Sequence, residues 1–380
     1  MRLLLIFVFS IFFSSCSFDD KSGIWKSEGK ISKKEIDSFK EFKTLSASDE
    51  TFKKIIKIDN NFKFNLYNPI KISKWSDIYY DLTNNFKDFK YDEKNEIIFK
   101  SKKISKYRIK NPILFQDDNV ISSDEKGNLI VFSIKENKIK NKFNFYKKKF
   151  KNIQKKLNII LEKEVIFVSD NIGYLYALDY KKNQLLWAKN YKIPFRSNLK
   201  IIENKLIAAN QNNDLYFFDK NSGDILKMIP TEETTVKNEF VNNISCNLKY
   251  TIFLNTYGSL YAIDNTSMRI IWFLNLNQSL DLNPSNLFLG SQVIQDKNVL
   301  VVTSNQFTYV IDTNTGKIKF KKNFVNKIKP IIVSDYLFSI SNTNLLIATE
   351  LKNGKIIYSY DIDQKIANYL DTKKRESDIK

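Results

Sequence analysis

The chain of 380 residues has no histidine. That excludes Ser-His-Asp and Cys-His catalysis, zinc sites built on imidazole, and the commonest general base near neutral pH. Its two cysteines, Cys16 and Cys246, form no CxxC, and no residues cluster at metal-ligand spacing, so neither metal nor cofactor is expected. Arginine is almost as scarce. Arg2, Arg108, Arg196, Arg269 and Arg375 are the only five among 61 Lys+Arg, set against 42 Asp+Glu. Readers of nucleic acid use arginine for base edges and forked phosphate contacts. A basic balance made of lysine, spread along a chain rich in Asn and Ile, describes a solvated surface, with attraction to an anionic partner as the alternative. No nucleic-acid partner is expected.

Residues 3–13 form an apolar run broken only by Ser10, the length of a signal h-region and too short to span a bilayer. Arg2 precedes it, and Ser14 and Ser15 lead to Cys16. This arrangement resembles a bacterial lipoprotein signal, with Phe13 standing where that family usually has Leu. The resemblance implies a signal peptide over residues 1–15, lipidation of Cys16 and a membrane held through the lipid anchor. Ser17, rather than Asp, after the cysteine resembles the variant sorted to the outer membrane, at its periplasmic face. The alternative is an ordinary secretory signal with a chance cysteine. Several acyl chains on Cys16 would anchor firmly where one binds only marginally. Cys246 is then without a partner and reads as a small buried hydrophobe. Residues 16–30 read as a linker.

A chain longer than the usual single core calls for a search for internal repeats. Six stretches align: GNLIVFSIKENKIKN from 127, GYLYALDYKKNQLLW from 173, NDLYFFDKNSGDILK from 213, GSLYAIDNTSMRIIW from 258, QFTYVIDTNTGKIKF from 306 and NLLIATELKNGKIIY from 344. Their spacing averages about 43 residues. Each offers a β-like run, then a turn, then a second run. Asp179, Asp219, Asp264 and Asp312 stand before the turn, where aspartate can bond backbone N–H groups two residues on. Gly223, Gly316 and Gly354 can take positive φ there, whereas Met268 occupies that place in the fourth copy and predicts a less regular turn. Trp187, Trp272, Phe320 and Tyr358 close the second run and read as packing between units. Two more short β runs lie upstream of each copy, such as SQVIQ and VLVVTS before the fifth. Four strands per 40–50 residues, without a helical period, predict the blade of an all-β propeller.

The repeats resemble the PQQ-type propeller repeat, roughly Gly-x-Leu-Tyr-Ala-Leu-Asp-x-x-Thr-Gly-x-x-x-Trp, over about residues 110–360. The fold expected is a β-propeller of four-stranded blades over residues 31–362, with eight blades, or seven as the alternative. Residues 30–109, including Trp75 and EIIFKSK from 96, would supply the extra blades, and both termini would close the ring.

A propeller does not by itself fix function. PQQ-dependent dehydrogenases carry a quinone on the propeller axis, a Ca²⁺ site and an Asp base, usually with adjacent cysteines that this chain lacks. No catalytic residue is expected. The lipoprotein signal with PQQ-type repeats instead resembles the BamB family, propeller lipoproteins of the outer-membrane β-barrel assembly machine. That resemblance implies docking on a BamA-like barrel subunit, other assembly-complex subunits as partners, and help in handing over unfolded outer-membrane protein precursors. The alternative is an envelope propeller that binds glycan or another protein. In the family, a Leu-x-Leu-Arg-Gly-like loop is implicated in docking. Here Ile193, Phe195 and Arg196 fall at the corresponding place, offering two apolar contacts and a charge-assisted anchor; the alternative is a routine loop with Phe195 packed inward. Asn242 and Asn243, with Glu239 nearby, replace the family's acidic loop residues. The lysine-rich residues 146–156 read as a solvated loop or a surface for anionic headgroups. Residues 363–380 read as a charged tail, disordered from Asp371.

Overall fold

Alternation of period two builds the structure, a computed structural model, almost entirely from antiparallel strands. It describes residues 51–378 except 88, 90–93, 95, 110–111, 147–149, 151, 234–240, 278–287 and 289, together with two strands nearer the N-terminus. The chain divides into two units, Met1–Asp49 and Glu50–Lys380. In the first, Cys16–Phe18 pairs antiparallel with Trp25–Ser27. The rest of residues 1–50, including the expected signal peptide, lies outside the described residues.

The second unit contains six four-stranded antiparallel sheets, each strand bonded to the next in sequence. These are blades 1 to 6, over residues 114–144, 157–190, 200–229, 243–275, 294–322 and 331–361. Within a blade the second and third strands are apolar on both faces, because each face meets a neighbouring blade. In blade 3, Leu206 and Ala208 pack with Phe167 and Leu175 of blade 2, while Ile207 and Ala209 pack with Ile244 and Phe253 of blade 4. The core is therefore a series of inter-blade layers, the arrangement of a β-propeller. Fourth strands, such as Gln184–Asn190, lie at the exposed rim.

The repeated aspartates make the expected turns. Asp312 Oδ1 accepts the N–H groups of Asn314 at 3.1 Å and Thr315 at 3.0 Å. Asp179, Asp219 and Asp264 do the same in blades 2, 3 and 4. Met268 does not loosen its turn. It adopts φ 52° and donates its N–H to Asp264 O at 2.8 Å, as Gly316 does to Asp312 O at 2.9 Å. A second turn-former precedes each of the first four copies: Asp124, Asp170, Asn210 and Asn255 accept N–H groups two to four residues on.

The aromatic at the end of one copy packs on the turn of the next blade. Trp187 Nε1–H donates to Lys220 O at 3.1 Å, and Trp272 Nε1–H to Thr313 O at 2.9 Å. Each ring lies where a Cβ would otherwise project. A Cβ on Gly223 would come within 2.8 Å of Trp187, and one on Gly316 within 2.7 Å of Trp272. Phe320 stands likewise on Gly354. Where the next turn carries Asn183 or Met268 instead, the ring is replaced by Asn141 or Lys227. Asn141 keeps the indole's hydrogen bond, donating its amide to Tyr180 O.

Against the expected eight blades, or seven, the described residues hold six four-stranded sheets. Residues 96–100 form no strand, and Ile97 and Ile98 are almost fully exposed. A β-like pattern needs a partner strand, and none lies beside it among the described residues. Among the described residues, blade 6 takes its four strands from residues 331–361, and the N-terminal segment pairs with it at a bridge between Ile56 and Ser359. Residues 371–378, where disorder is expected, belong to a helix, Ile362–Asp378. Asp361 Oδ1 caps it by accepting the N–H groups of Asp363 and Gln364.

Candidate functional site

Residues 193–197 connect blades 2 and 3 in an extended segment pinned from both sides. Phe195 N–H donates to Asp170 O of blade 2 at 3.0 Å. Arg196 N–H donates to Ala209 O of blade 3 at 2.9 Å, and Gln211 N–H to Pro194 O at 2.8 Å. Ser197 Oγ accepts from Ala209 N–H at 2.7 Å. The backbone of Lys192 and Ile193 lies 3.0 Å from where a Cβ on Gly173 would sit, so the first glycine of the second copy makes room for this loop.

Its side chains divide. Phe195 is 4% exposed and packs in the layer between blades 2 and 3, edge-on to Tyr191 and Phe218. It shapes the loop from beneath and presents no apolar surface. Ile193 and Arg196 are half-buried on a backbone that cannot swing away. Asn242 and Asn243 are buried and structural. Asn242 Nδ2 donates to Asn210 O at 2.7 Å, and Asn243 Oδ1 accepts from Val293 N–H at 2.9 Å. Glu239 lies outside the described residues.

Sequence reasoning missed Glu232, in the connection between blades 3 and 4. Its carboxylate accepts from Asn255 Nδ2 and Ser259 Oγ, each at 3.0 Å, and from the Tyr261 hydroxyl. Against the cost of burial, these donors hold its carboxyl below the ordinary value. Tyr261, three places before the repeat aspartate Asp264, was the available signal. Among the lysines of 146–156, Lys155 is buried, its Nζ donating to Phe150 O and lying over the Tyr146 ring at 5.0 Å. Cys246 is fully buried, and burial pushes its thiol up to about 12.

The axis of the wheel is filled by the protein itself. Residues 75–85 touch the innermost strands of the six blades in blade order. Trp75 N–H donates to Phe115 O of blade 1 at 2.7 Å, and Leu161 N–H of blade 2 to Ser76 O at 2.8 Å. Lys200 of blade 3 reaches Asp77 Oδ2 and Asp81 O, both at 2.6 Å. Cys246 N–H of blade 4 donates to Leu82 O at 2.7 Å, and Gln295 N–H of blade 5 to Thr83 O at 2.9 Å. Asn85 exchanges two bonds with Ile332 of blade 6. The Lys200–Asp77 pair is almost wholly excluded from solvent. Burial raises the Asp77 carboxyl, offset by Lys200 and by the Tyr79 N–H.

Lys329 completes the strap, donating to Tyr79 O at 3.0 Å and Asn84 O at 2.7 Å. Burial, aided by the Lys200 charge and opposed by Asp77 and Asp81, holds its ammonium down to about 8. The unfolded chain then binds more protons than the folded one between about pH 8 and the ordinary lysine value, so stability rises with pH across that window. Unfolding free energies measured by urea from pH 7 to 10 should therefore climb more steeply for wild type than for Lys329→Met. Parallel curves would remove Lys329 as the source.

A quinone on the axis, as the dehydrogenase reading requires, does not fit: residues 75–85 hold that space through hydrogen bonds to every blade. No group of three or more His, Cys, Asp or Glu among the described residues could hold a metal ion. No helix among the described residues is long and apolar enough to cross a membrane.

Fold and loop together define a class, the β-propeller of PQQ-type repeats with a pinned inter-blade loop and a closed axis. Residues 157–360 match the family profile described as outer membrane protein assembly factor BamB, and the chain belongs to that family. Its fold is similar to that of BamB from Moraxella catarrhalis, with a TM-score of 0.56 and 16% identity over 66% of this chain and 75% of that one. The computationally designed Ika8 protein is similar with a TM-score of 0.50 and 12% identity, over 66% and 74%. At these identities the likeness is one of fold. No curated protein matches the chain.

Proposed function

We propose that the chain is a non-catalytic scaffold lipoprotein, held at the periplasmic face of the outer membrane through acylated Cys16. It docks on a BamA-like barrel protein through residues 193–197 and assists insertion of β-barrel proteins, bringing other assembly subunits and unfolded precursors together. The observation that carries this reading is membership of the BamB family, on a wheel whose axis is closed to a cofactor. The pinned loop supports it further: a preorganised segment loses little entropy on docking, and Ile193 and Arg196 are the side chains it can offer.

Pull-down from detergent-solubilised envelope should recover a BamA-like barrel protein with wild type. Arg196→Glu should lower the yield at least about tenfold, since a reversed charge in a desolvated contact costs a few kcal/mol. Recovery unchanged by the substitution would take Arg196 out of the interface. Recovery of a different envelope protein, or of glycan, in place of the barrel would overturn the reading.

A further inference from the structure

The outer edge of each blade is its fourth strand, and the repeats allow the six edges to be compared place by place. An open strand edge pairs with other chains unless lysine or a cover blunts it. The fourth strands of blades 1 and 5 carry three lysines each, and those of blades 2 and 3 carry one each, Lys189 and Lys227. Blade 6 has a cover: Ile56 N–H donates to Ser359 O at 3.1 Å, and Ser359 N–H to Ile56 O at 3.0 Å. Blade 4 has neither. Its fourth strand, Ile270–Asn275, reads IIWFLN without a charge, and among the described residues nothing pairs with its outer edge. Ile270, Ile271 and Phe273 are 45%, 50% and 51% exposed.

Blade 6 shows how such an edge is used. Ile362 N–H bonds back to Asn344 O at 3.1 Å, so in the alternating ladder Ser359 turns its N–H and C=O outward, where Ile56 meets them. In blade 4, Leu276 N–H bonds to Gly258 O at 2.9 Å, the same pair in the repeat. Phe273 is the counterpart of Ser359 and therefore turns its N–H and C=O outward too, as does Asn275 after it. One face of the strand is occupied, since Trp272 and Leu274 pack in the layer toward blade 5. Phe273 lies on the other face, its ring 5.1 Å from that of Tyr261.

We propose that the outer edge of blade 4 takes an extended segment of an unfolded chain as a fifth strand, a segment with apolar side chains at alternate positions and no charge among them. Main-chain bonds to Phe273 and Asn275 supply affinity, and alternate side chains beside Phe273 supply selectivity. A second copy of this chain is opposed by its net charge of +19. The six residues of the edge also fall short of the roughly 20–30 a side of a stable interface. A flexible segment needs no broader surface. Membrane-spanning strands alternate apolar and polar side chains in this way. The source of the segment thus rests on the function proposed above, while the edge and its chemistry stand without it.

The test is fluorescence anisotropy of a fluorescein-labelled ten-residue peptide of alternating Val and Thr, titrated with the full chain in a neutral detergent. The peptide should bind saturably, with affinity little changed by salt. A control peptide with two Thr replaced by Pro should not bind, because it cannot complete the ladder. Phe273→Lys and Phe273→Pro should each weaken binding about tenfold or more, one by placing a charge in the edge and the other by removing the outward N–H. Met228→Lys, at the same place in blade 3, should bind as wild type does, and all three variants should keep the wild-type melting temperature. The proposal fails if the alternating peptide does not bind, if the proline peptide binds equally well, or if neither Phe273 variant weakens binding. Dimers in analytical ultracentrifugation that Phe273→Lys dissociates would assign the edge to a second copy and overturn it as well. Because no barrel protein is present, a failed peptide titration leaves the docking of residues 193–197 standing, and a failed envelope pull-down leaves the edge standing.

Discussion

Replacing Lys200 by methionine should lower the unfolding free energy by about 3–5 kcal/mol, the cost of leaving a buried charge uncompensated. Asp77 would keep only the Tyr79 N–H at 2.8 Å, in a site almost without solvent. The carbonyl of Asp81 would also lose the closer of its two donors, keeping the Asn84 N–H at 3.3 Å. The double variant Lys200→Met/Asp77→Leu should recover most of the loss, since an apolar pair of similar volume can replace a buried ion pair at little cost. Urea unfolding of the two variants reads both effects. If the single variant unfolded like wild type, the strap would not depend on this pair.

The second large effect belongs to the joint between blades. Trp272→Ala should cost about 3 kcal/mol through lost packing on the next blade and a lost donor to Thr313 O. Gly316→Ala should also destabilise, because φ is +70° and the new methyl would meet the indole at 2.7 Å. The two substitutions should not add. With Trp272→Lys in place, as Lys227 stands before Met268 in blades 3 and 4, Gly316→Ala should lose the clash and keep only the cost of positive φ. A double-mutant cycle should show coupling of about 1 kcal/mol or more. Additive losses would mean that the ring and the glycine are independent, and that their pairing through the repeats is coincidence.

How much of this was legible in the residues follows from periodicity. The blades were, because each is written in a 2-residue alternation that recurs six times in register. The turns were, because aspartate's bonds to its own backbone are local and need no knowledge of the neighbours. The strap was not. Residues 75–85 have no period and make most of their bonds to residues far along the chain, so nothing in WSDIYYDLTNN announces the axis. That same use of residues 75–85 explains the blade count, since chain expected to form further blades lies along the inner strands. The helix at Ile362–Asp378 carries the apolar spacing Ile362, Ile366, Tyr369 and Leu370, which the charge of its neighbours obscured.

The position of the 193–197 loop was legible, but not which way its side chains face. A loop that breaks the repeat was correctly located between blades 2 and 3, yet which side chains it shows depends on where its backbone is pinned. Phe195 points into the inter-blade layer because Asp170 O and Ala209 O fix the backbone on either side of it. Ile193 and Arg196 are half-buried on the same segment.

The central claim is that this wheel works by docking through residues 193–197 on a barrel protein. The most direct measurement places a photo-crosslinking amino acid at position 193 in the full chain and irradiates intact envelopes. The account predicts a single dominant adduct with a BamA-like barrel protein, and none when the same group is placed at Leu248, an exposed position in blade 4. An adduct with some other protein, or equal labelling from both positions, would contradict it.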